Sequence, residues 1–133
     1  MFRARTGKEL VVRLSNEVGA LNRIAKMLAE RGIDIEGTAN WVEGEDAVIQ
    51  LVVDDTTRAT DELREHKYDV RVKDVILVHS PHKPGMLKRI TDKLVREEID
   101  IRQLYATAAG GTGSCLLVME TADDDRAIVL LNE

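Results

Sequence analysis

Residues 16–24 read Asn16-Glu17-Val18-Gly19-Ala20-Leu21-Asn22-Arg23-Ile24, and sixty-six positions later residues 82–90 read His82-Lys83-Pro84-Gly85-Met86-Leu87-Lys88-Arg89-Ile90. Gly, Leu, Arg and Ile keep their places in both stretches. The match continues without a gap, since Ile33-Asp34-Ile35 corresponds to Ile99-Asp100-Ile101. A fixed internal period of this kind indicates that one supersecondary unit is used twice.

The first copy predicts the order strand, helix, strand, strand, helix, strand. Residues 10–14 are an apolar run typical of a strand, and apolar residues then recur from Val18 at helical spacing until Gly32. Two strands at 33–42 and 47–53, joined by a turn at 43–46, come next. A helix through about residue 67 follows, with Thr56 and Thr57 as candidate caps, and then a fourth strand at 68–73.

The second copy begins at Asp74 without a linker and repeats this order. A strand at 74–78 precedes the second helix-start motif, residues 100–106 and 114–120 form two further strands around a hairpin loop at 109–113, and acids at 123–125 begin the last helix. The sequence ends where a fourth strand is expected. Residues 2–6, the long run 68–78 or a second chain are the candidates to fill that position, because an uncovered edge favours aggregation.

The bulk composition excludes several classes of protein. A length of 133 residues favours two small units, here 8–73 and 74–133, and 44% apolar residues are typical of a globular chain. A net charge of −5 and only 3% aromatic residues disfavour nucleic-acid binding. Cys115 is the only cysteine, which excludes an internal disulfide. Neither a signal peptide nor an apolar run of membrane-spanning length occurs, so we expect a cytoplasmic protein without a membrane partner.

The two copies together resemble the ACT domain, a regulatory module of about 70 residues with a ferredoxin-like βαββαβ fold. The motif of that family is an Asp or Asn followed by Pro-Gly-x-Leu at the start of the first helix. The second copy has Pro84-Gly85-Met86-Leu87 but His82 at the Asp/Asn position, and the first copy keeps Asn16 but has Val18 at the Pro position. The resemblance covers residues 8 to 133. It implies an α+β chain with two tandem units, antiparallel sheets and helices on one face.

The resemblance also implies where a ligand binds. ACT units pair side by side, and amino acids bind between the Gly turn of one unit and the second strand of its neighbour. The implied binding residues are Asn16, Val18, Gly19, Ala20, Leu21, Asp34 and Ile35 in the first copy, and His82, Pro84, Gly85, Met86, Leu87, Asp100 and Ile101 in the second. Helix-start N–H groups suit a carboxylate, and an Asn or Asp side chain suits an ammonium group.

Each of these residues also has a purely structural interpretation. Gly19 and Gly85 are what a strand-to-helix turn needs, and Asn16 can cap its own turn. Asp34 and Asp100 alternate with isoleucines, which is typical of solvated carboxylates. Many ACT units only hold subunits together, so the motif leaves both interpretations open.

Other motifs give little support for catalysis or metal binding. His79 and His82 have chelating spacing, but no Cys and only scattered acids accompany them. Residues 110–113 lack the Lys-Ser/Thr of a P-loop, and Asp123 to Asp125 are typical of a helix cap. Cys115 alternates with apolar neighbours on a core strand and is expected to be inert, and Trp41 is expected to pack.

We therefore interpret the chain as a non-catalytic regulatory protein that binds a small amino acid between ACT units. No cofactor or metal is expected. A homodimer is expected from the small size of the units, and a metabolic enzyme is a candidate partner. The alternative is a structural dimerisation module, or a regulatory subunit of a biosynthetic enzyme, with no ligand of its own. A small enzyme is a third hypothesis, which no acid–base pair in the sequence supports.

Overall fold

The computed structural model describes residues 2–109 and 113–133. The described residues form six strands and four helices in the order β1 (Arg3–Ser15), α1 (Ala20–Glu30), β2 (Ile35–Glu43), β3 (Asp46–Val53), α2 (Thr56–Glu65), β4 (Asp69–Pro81), α3 (Met86–Val95), β5 (Ile101–Ala109), β6 (Ser114–Thr121) and α4 (Asp124–Asn132). The predicted fold class is confirmed. Of the predicted hairpin loop at 109–113, residues 110–112 lie outside the described residues.

The chain divides into two compact units. Residues 8–73 form the first unit, and residues 74–133 together with residues 1–7 form the second. The division falls inside β1 and inside β4, two strands of 13 residues each. The sequence predicts two strands at the second of these runs, at 68–73 and 74–78. The structure shows one continuous strand, because no Gly or Pro breaks it before Pro81.

The first unit has the strand order β2-β3-β1-β4. Strand β3 pairs antiparallel with both neighbours, with Leu10 opposite Leu51 and Trp41 opposite Val48. Helices α1 and α2 pack on one face of the sheet, where their buried side chains meet those of the strands in one apolar core. Ile24, Leu28 and Leu63 are fully buried in that core. The helical spacing of apolar residues in the sequence is therefore the spacing of the buried face.

The second unit has the strand order β1-β4-β6-β5. Strand β6 pairs antiparallel with β4 and β5, with Leu77 opposite Val118 and Leu104 opposite Met119. Helices α3 and α4 cover one face, and their core contains Ile90, Leu94 and Leu131. These three residues occupy the same repeat positions as Ile24, Leu28 and Leu63 in the first unit. The two cores are thus built from one pattern.

Residues 3–7 of β1 fill the strand position that the second copy lacks. Phe2 and Ala4 are buried in the core of the second unit. The backbone N–H of Ala4 donates to Oδ1 of Asn132 at 2.8 Å, and Nδ2 of Asn132 donates back to the Ala4 carbonyl oxygen at 2.9 Å. In the first unit Arg64, at the matching helix position, donates from Nη2 to the carbonyl oxygen of Val70 on β4. Of the three candidates for the empty position, the N-terminal segment is therefore the one that fills it.

The N-terminal segment also comes very close to β4. A Cβ atom added at Gly7 would overlap with Cδ1 and Cγ of Leu77, so a larger residue at this point of β1 would require the Leu77 side chain to shift. Because residues 1–8 are short and mostly polar, the sequence gives little sign of a strand there. The strand prediction at 10–14 is consequently too short by seven residues at its start.

The caps of the second helix in each unit match each other. The Asp55 side chain accepts a hydrogen bond from the Arg58 N–H at 3.1 Å, and that of Asp123 accepts from the Arg126 N–H at 3.2 Å. The prediction that Thr56 or Thr57 caps α2 is wrong by one residue, because the carboxylate before them reaches the helix N–H first.

Candidate functional site

The turn between β4 and α3 is built around Gly85. Its φ of 90° is a left-handed conformation that favours glycine, and it places Gly85 at the start of α3 with no side-chain cap on the helix. The His82 N–H donates to the Gly113 carbonyl oxygen at 2.6 Å, and the Met86 N–H donates to the Lys83 carbonyl oxygen at 3.3 Å. The turn is thus held by backbone hydrogen bonds at both ends.

A cavity of about 360 Å³ lies beside this turn, within the second unit. It is bounded by the end of β4, the start of α3 and the middle of β5 and β6. Its apolar or glycine lining residues are Pro81, Gly85, Met86, Leu87, Ile90, Leu104, Ala106, Cys115 and Leu117, and its polar or amphipathic ones are Ser80, His82, Lys83 and Tyr105. A volume near 360 Å³ is at the lower end of the range for ligand sites, roughly 300–1,000 Å³.

The cavity runs from a charged mouth to an apolar inner end. His82 and Lys83 are exposed at the turn. Met86, Ile90 and Leu117 are buried members of the helix–sheet core, so the inner end of the cavity reaches the core itself. A molecule in the cavity would therefore meet positive charge at one end and hydrocarbon at the other.

Ser80 is a buried polar side chain in the wall of this cavity. It is 2% exposed, and its Oγ donates to the Pro81 carbonyl oxygen at 2.9 Å. The hydroxyl proton is thus already used within the protein. Cys115, directly opposite Ser80 on β6, is half-buried and packs against the core. It lines the cavity, so it is not simply the core residue that its alternating pattern predicts.

The corresponding turn of the first unit has the same backbone and different side chains. Gly19 has a φ of 89° and likewise starts its helix without a side-chain cap. The Asn16 N–H donates to the Glu45 carbonyl oxygen at 2.9 Å, and Val18, in place of Pro, is fully exposed. Leu14, at the position that matches Ser80, packs against the core of the first unit.

Other predicted residues at the start of α1 and in the second strand of the first unit have structural contacts. Ala20 is buried and Leu21 packs against the core, as does Ile35. The Asp34 N–H donates to Oδ1 of Asp54 at 2.9 Å, and the Asp34 carbonyl oxygen accepts from the Asp54 N–H at 3.1 Å. The Asp34 carboxylate itself is on an exposed residue, as its alternation with isoleucine predicts.

The predicted site residues of the second unit do not all come together within that unit. His82, Gly85, Met86 and Leu87 line the cavity. Strand pairing puts Pro81 opposite Ser114 and Ile101 opposite Thr121, at the two ends of β6. Asp100 and Ile101 therefore lie at the far end of the sheet from the turn. The predicted pairing of a turn with the second strand of a neighbouring unit stays a prediction.

Sequence reasoning missed the lining residues on the middle of β5 and on β6. Leu104, Tyr105 and Ala106 reach the turn because β5 runs antiparallel to β6, whose first residues pair with the end of β4. The available signal was this register, which the hairpin between the last two predicted strands fixes. Ser80 was also missed, although it breaks the apolar pattern at a position where the first copy has Leu14.

Other charged side chains of the described residues form ion pairs, such as that of Arg126 with Glu97 on the surface. A groove of about 230 Å³ in the first unit contains Arg31, whose Nε lies 3.0 Å from Oε2 of Glu62. Arg13 donates a hydrogen bond to the Asp46 carboxylate, and this bond, aided by the negative charge of Glu43, raises the pKa of Arg13. Within 2–109 and 113–133, no group of three or more His, Cys, Asp or Glu is placed to hold a metal ion.

Comparisons with known proteins agree with this fold. A sequence model of the ACT domain pair family matches residues 5–133, so the chain belongs to that family. A crystal structure of a protein from Bacteroides thetaiotaomicron shares the fold with a TM-score of 0.87 and 23% identity, covering 97% of this chain and 88% of that one. No curated protein matches. Among the described residues, no helix is long and apolar enough to cross a membrane.

A known regulatory subunit also has this fold. The ligand-free regulatory subunit of aspartate kinase from Thermus thermophilus aligns with a TM-score of 0.70 and 13% identity, over 98% of this chain and 94% of that one. An identity this low shows a shared fold. The resemblance to the ACT domain that the repeated turn indicates is thereby confirmed along almost the whole chain.

Proposed function

We propose that this chain is a non-catalytic regulatory protein that binds a small amino acid. The observation that carries the proposal is the cavity of about 360 Å³ beside the Gly85 turn. It combines a size suited to a small ligand with a cationic mouth and a helix start that has no side-chain cap. Membership of the ACT domain pair family supports a regulatory role.

The cavity has suitable partners for both ends of a zwitterion. The ammonium group of Lys83 attracts carboxylates, and Lys83 lies at the mouth beside the N-terminal end of α3. Backbone carbonyl groups and the hydroxyl oxygen of Ser80 are hydrogen-bond acceptors available to an ammonium group. His82 stands where the family motif has Asp or Asn, so the ammonium group meets no carboxylate at that position.

Regulation requires that ligand binding alter a partner. The proposal includes a cytoplasmic homodimer that acts on a metabolic enzyme, with a coupling free energy of the usual size, about 1–3 kcal/mol. The shared fold with a regulatory subunit of aspartate kinase supports an enzyme as the kind of partner.

The test is thermal unfolding of the purified chain with each standard amino acid at millimolar concentration. A ligand that binds only the folded state raises the free energy of unfolding by RT ln(1 + [L]/Kd), which is about 2.7 kcal/mol at one hundred times Kd. We expect a rise in Tm for one or a few amino acids. A flat response to all twenty from a well-folded chain would contradict the proposal and favour a structural dimerisation module.

A matched pair of variants assigns the response to the cavity. Ala106 lines the cavity at an exposed strand position, and Asn40 occupies the matching exposed position in the first unit. Ala106→Leu places three more carbon atoms beside the cavity and should abolish the Tm response. Asn40→Leu places the same leucine side chain at the matching position of the other unit and should retain the response. Loss of the response in Asn40→Leu alone would place the ligand in the first unit.

A further inference from the structure

The inner end of the cavity has no polar group that a ligand side chain would need to satisfy. Met86, Ile90 and Leu117 are buried core residues, and Leu104 packs against the same core. A polar side chain placed among them would lose its water without gaining a partner, whereas an apolar one would cover hydrocarbon that the cavity leaves open. This end of the cavity therefore favours an apolar side chain.

The one buried polar side chain in the wall does not change this conclusion. The Ser80 hydroxyl donates to the Pro81 carbonyl oxygen at 2.9 Å, so its proton is satisfied without a ligand. Its main effect on the cavity is its size. Leu14 at the matching position packs against the core of the first unit, whereas the Ser80 side chain is smaller by two non-hydrogen atoms and leaves room beside Cys115.

The charges at the mouth orient the ligand. Lys83 is the fully cationic residue of the described lining, and that lining contains no Asp or Glu. A ligand carboxylate is therefore attracted to the mouth, and an anionic or cationic side chain gains nothing at the inner end. The two ends together distinguish one class of amino acid from the rest.

We propose that the cavity of the second unit binds one amino acid with an apolar side chain per protein chain. The side chain points between α3, β5 and β6, and the carboxylate faces Lys83 at the mouth. This inference rests on the proposed function and specifies the ligand class of that same site. Aliphatic and thioether amino acids, such as leucine, valine and methionine, are the expected ligands, and serine, aspartate and lysine are expected to bind at least tenfold more weakly.

The first experiment compares these two groups by isothermal titration calorimetry. We expect leucine, valine or methionine to bind at least tenfold more tightly than serine, aspartate and lysine, with one site per chain. Tighter binding of a polar or charged amino acid would overturn this inference and leave the proposed function standing. Binding of none of the twenty standard amino acids would overturn both.

The second experiment uses Cys115, the only cysteine of the chain, as a probe inside the cavity. Iodoacetamide should alkylate Cys115 at least fivefold more slowly when the best apolar amino acid is present at a saturating concentration. Serine at the same concentration should leave the rate of Cys115 alkylation unchanged. A ligand that binds without protecting Cys115 would lie elsewhere and would overturn the inference.

The third experiment fills the cavity. Ser80→Leu introduces the residue that the first unit has at this position, and we expect at least a tenfold loss of affinity for the apolar ligand. Leu14→Met, which conserves side-chain volume at the matching position of the first unit, should leave the affinity unchanged. If Ser80→Leu does not fold, Ala106→Leu at an exposed lining position serves instead. Wild-type affinity in a folded cavity-filling variant would overturn the inference.

Discussion

The two helix-start turns of this chain have the same backbone conformation but are surrounded by different side chains. Gly19 and Gly85 have φ values of 89° and 90°, and both start a helix without a side-chain cap. Around the first, Leu14 packs against its core and Val18 is fully exposed. Around the second, Ser80 and its neighbours border a cavity of about 360 Å³. The fold accounts for what the turns share, so a functional difference must come from the side chains that differ.

Matched positions therefore provide internal controls. A substitution made at the same repeat position in each unit should cost the same stability where the role is structural. It should have unequal effects where one copy has an additional role.

The largest effect is expected in the two cores. Leu28 and Leu94 occupy the same repeat position and are both fully buried. Leu28→Ala and Leu94→Ala should each lower the free energy of unfolding by about 2–5 kcal/mol, because each leaves a cavity in a helix–sheet core. Urea unfolding followed by circular dichroism measures both. A cost below about 1 kcal/mol for either variant would contradict equivalent cores.

The next effect concerns the helix residue that contacts the outer strand of each unit. Asn132 makes two hydrogen bonds to the backbone of Ala4, and Arg64 makes one to that of Val70. Asn132→Ala leaves a donor and an acceptor unpaired and should cost about 1–3 kcal/mol, with a smaller cost for Arg64→Ala. Hydrogen exchange of the Ala4 amide should accelerate in Asn132→Ala alone. Unchanged exchange would argue against the Asn132 contact.

The turn glycines should respond equally. Alanine in a left-handed conformation costs about 1–2 kcal/mol, and a Cβ at Gly85 would meet no atom within 4 Å. A Cβ at Gly19 would meet only Nη1 of Arg23, at 3.7 Å. Gly19→Ala and Gly85→Ala should therefore destabilise the chain by similar amounts in urea unfolding. A difference above about 1 kcal/mol would show that the turns are not structurally equivalent.

The smallest effect is expected at the caps of α2 and α4. Asp55→Ala and Asp123→Ala each remove a side-chain acceptor from a helix N–H and should cost about 1 kcal/mol. Asn at either position retains an acceptor and should recover most of the stability in the same measurement. Failure of both asparagine variants to recover it would assign the loss to charge, not to the capping hydrogen bond.

Most of the fold can be predicted from the sequence because each local pattern occurs in both copies of the repeat. Leu28 and Leu94 are both at the helical spacing of a buried face, so each supports the assignment of the other. The N-terminal strand could not be predicted in this way. Its pairing depends on contacts such as that of Ala4 with Asn132, separated by 128 residues, and local patterns carry no information about such contacts.

The candidate site could be predicted only at its turn. Gly85 and Met86 follow from the motif, whereas Leu104 and Cys115 reach the cavity through the pairing of three strands. Asp100 comes directly before β5, yet it lies at the other end of the sheet. A sequence motif identifies residues that are close along the chain. A binding site also contains residues that are close only in space.

The division of β1 between two units determines which fragments of the chain contain every strand of a unit. Residues 2–7 belong with 74–133, and Asn132 is hydrogen-bonded to Ala4, so the second unit contains both the start of β1 and the end of α4. A fragment cut at residue 74 would lack one strand. A circular permutant that begins at residue 74, continues through a short linker from Glu133 to residues 2–7, and ends there would carry every strand of that unit in one piece. Its partner fragment, residues 8–73, would need nothing added.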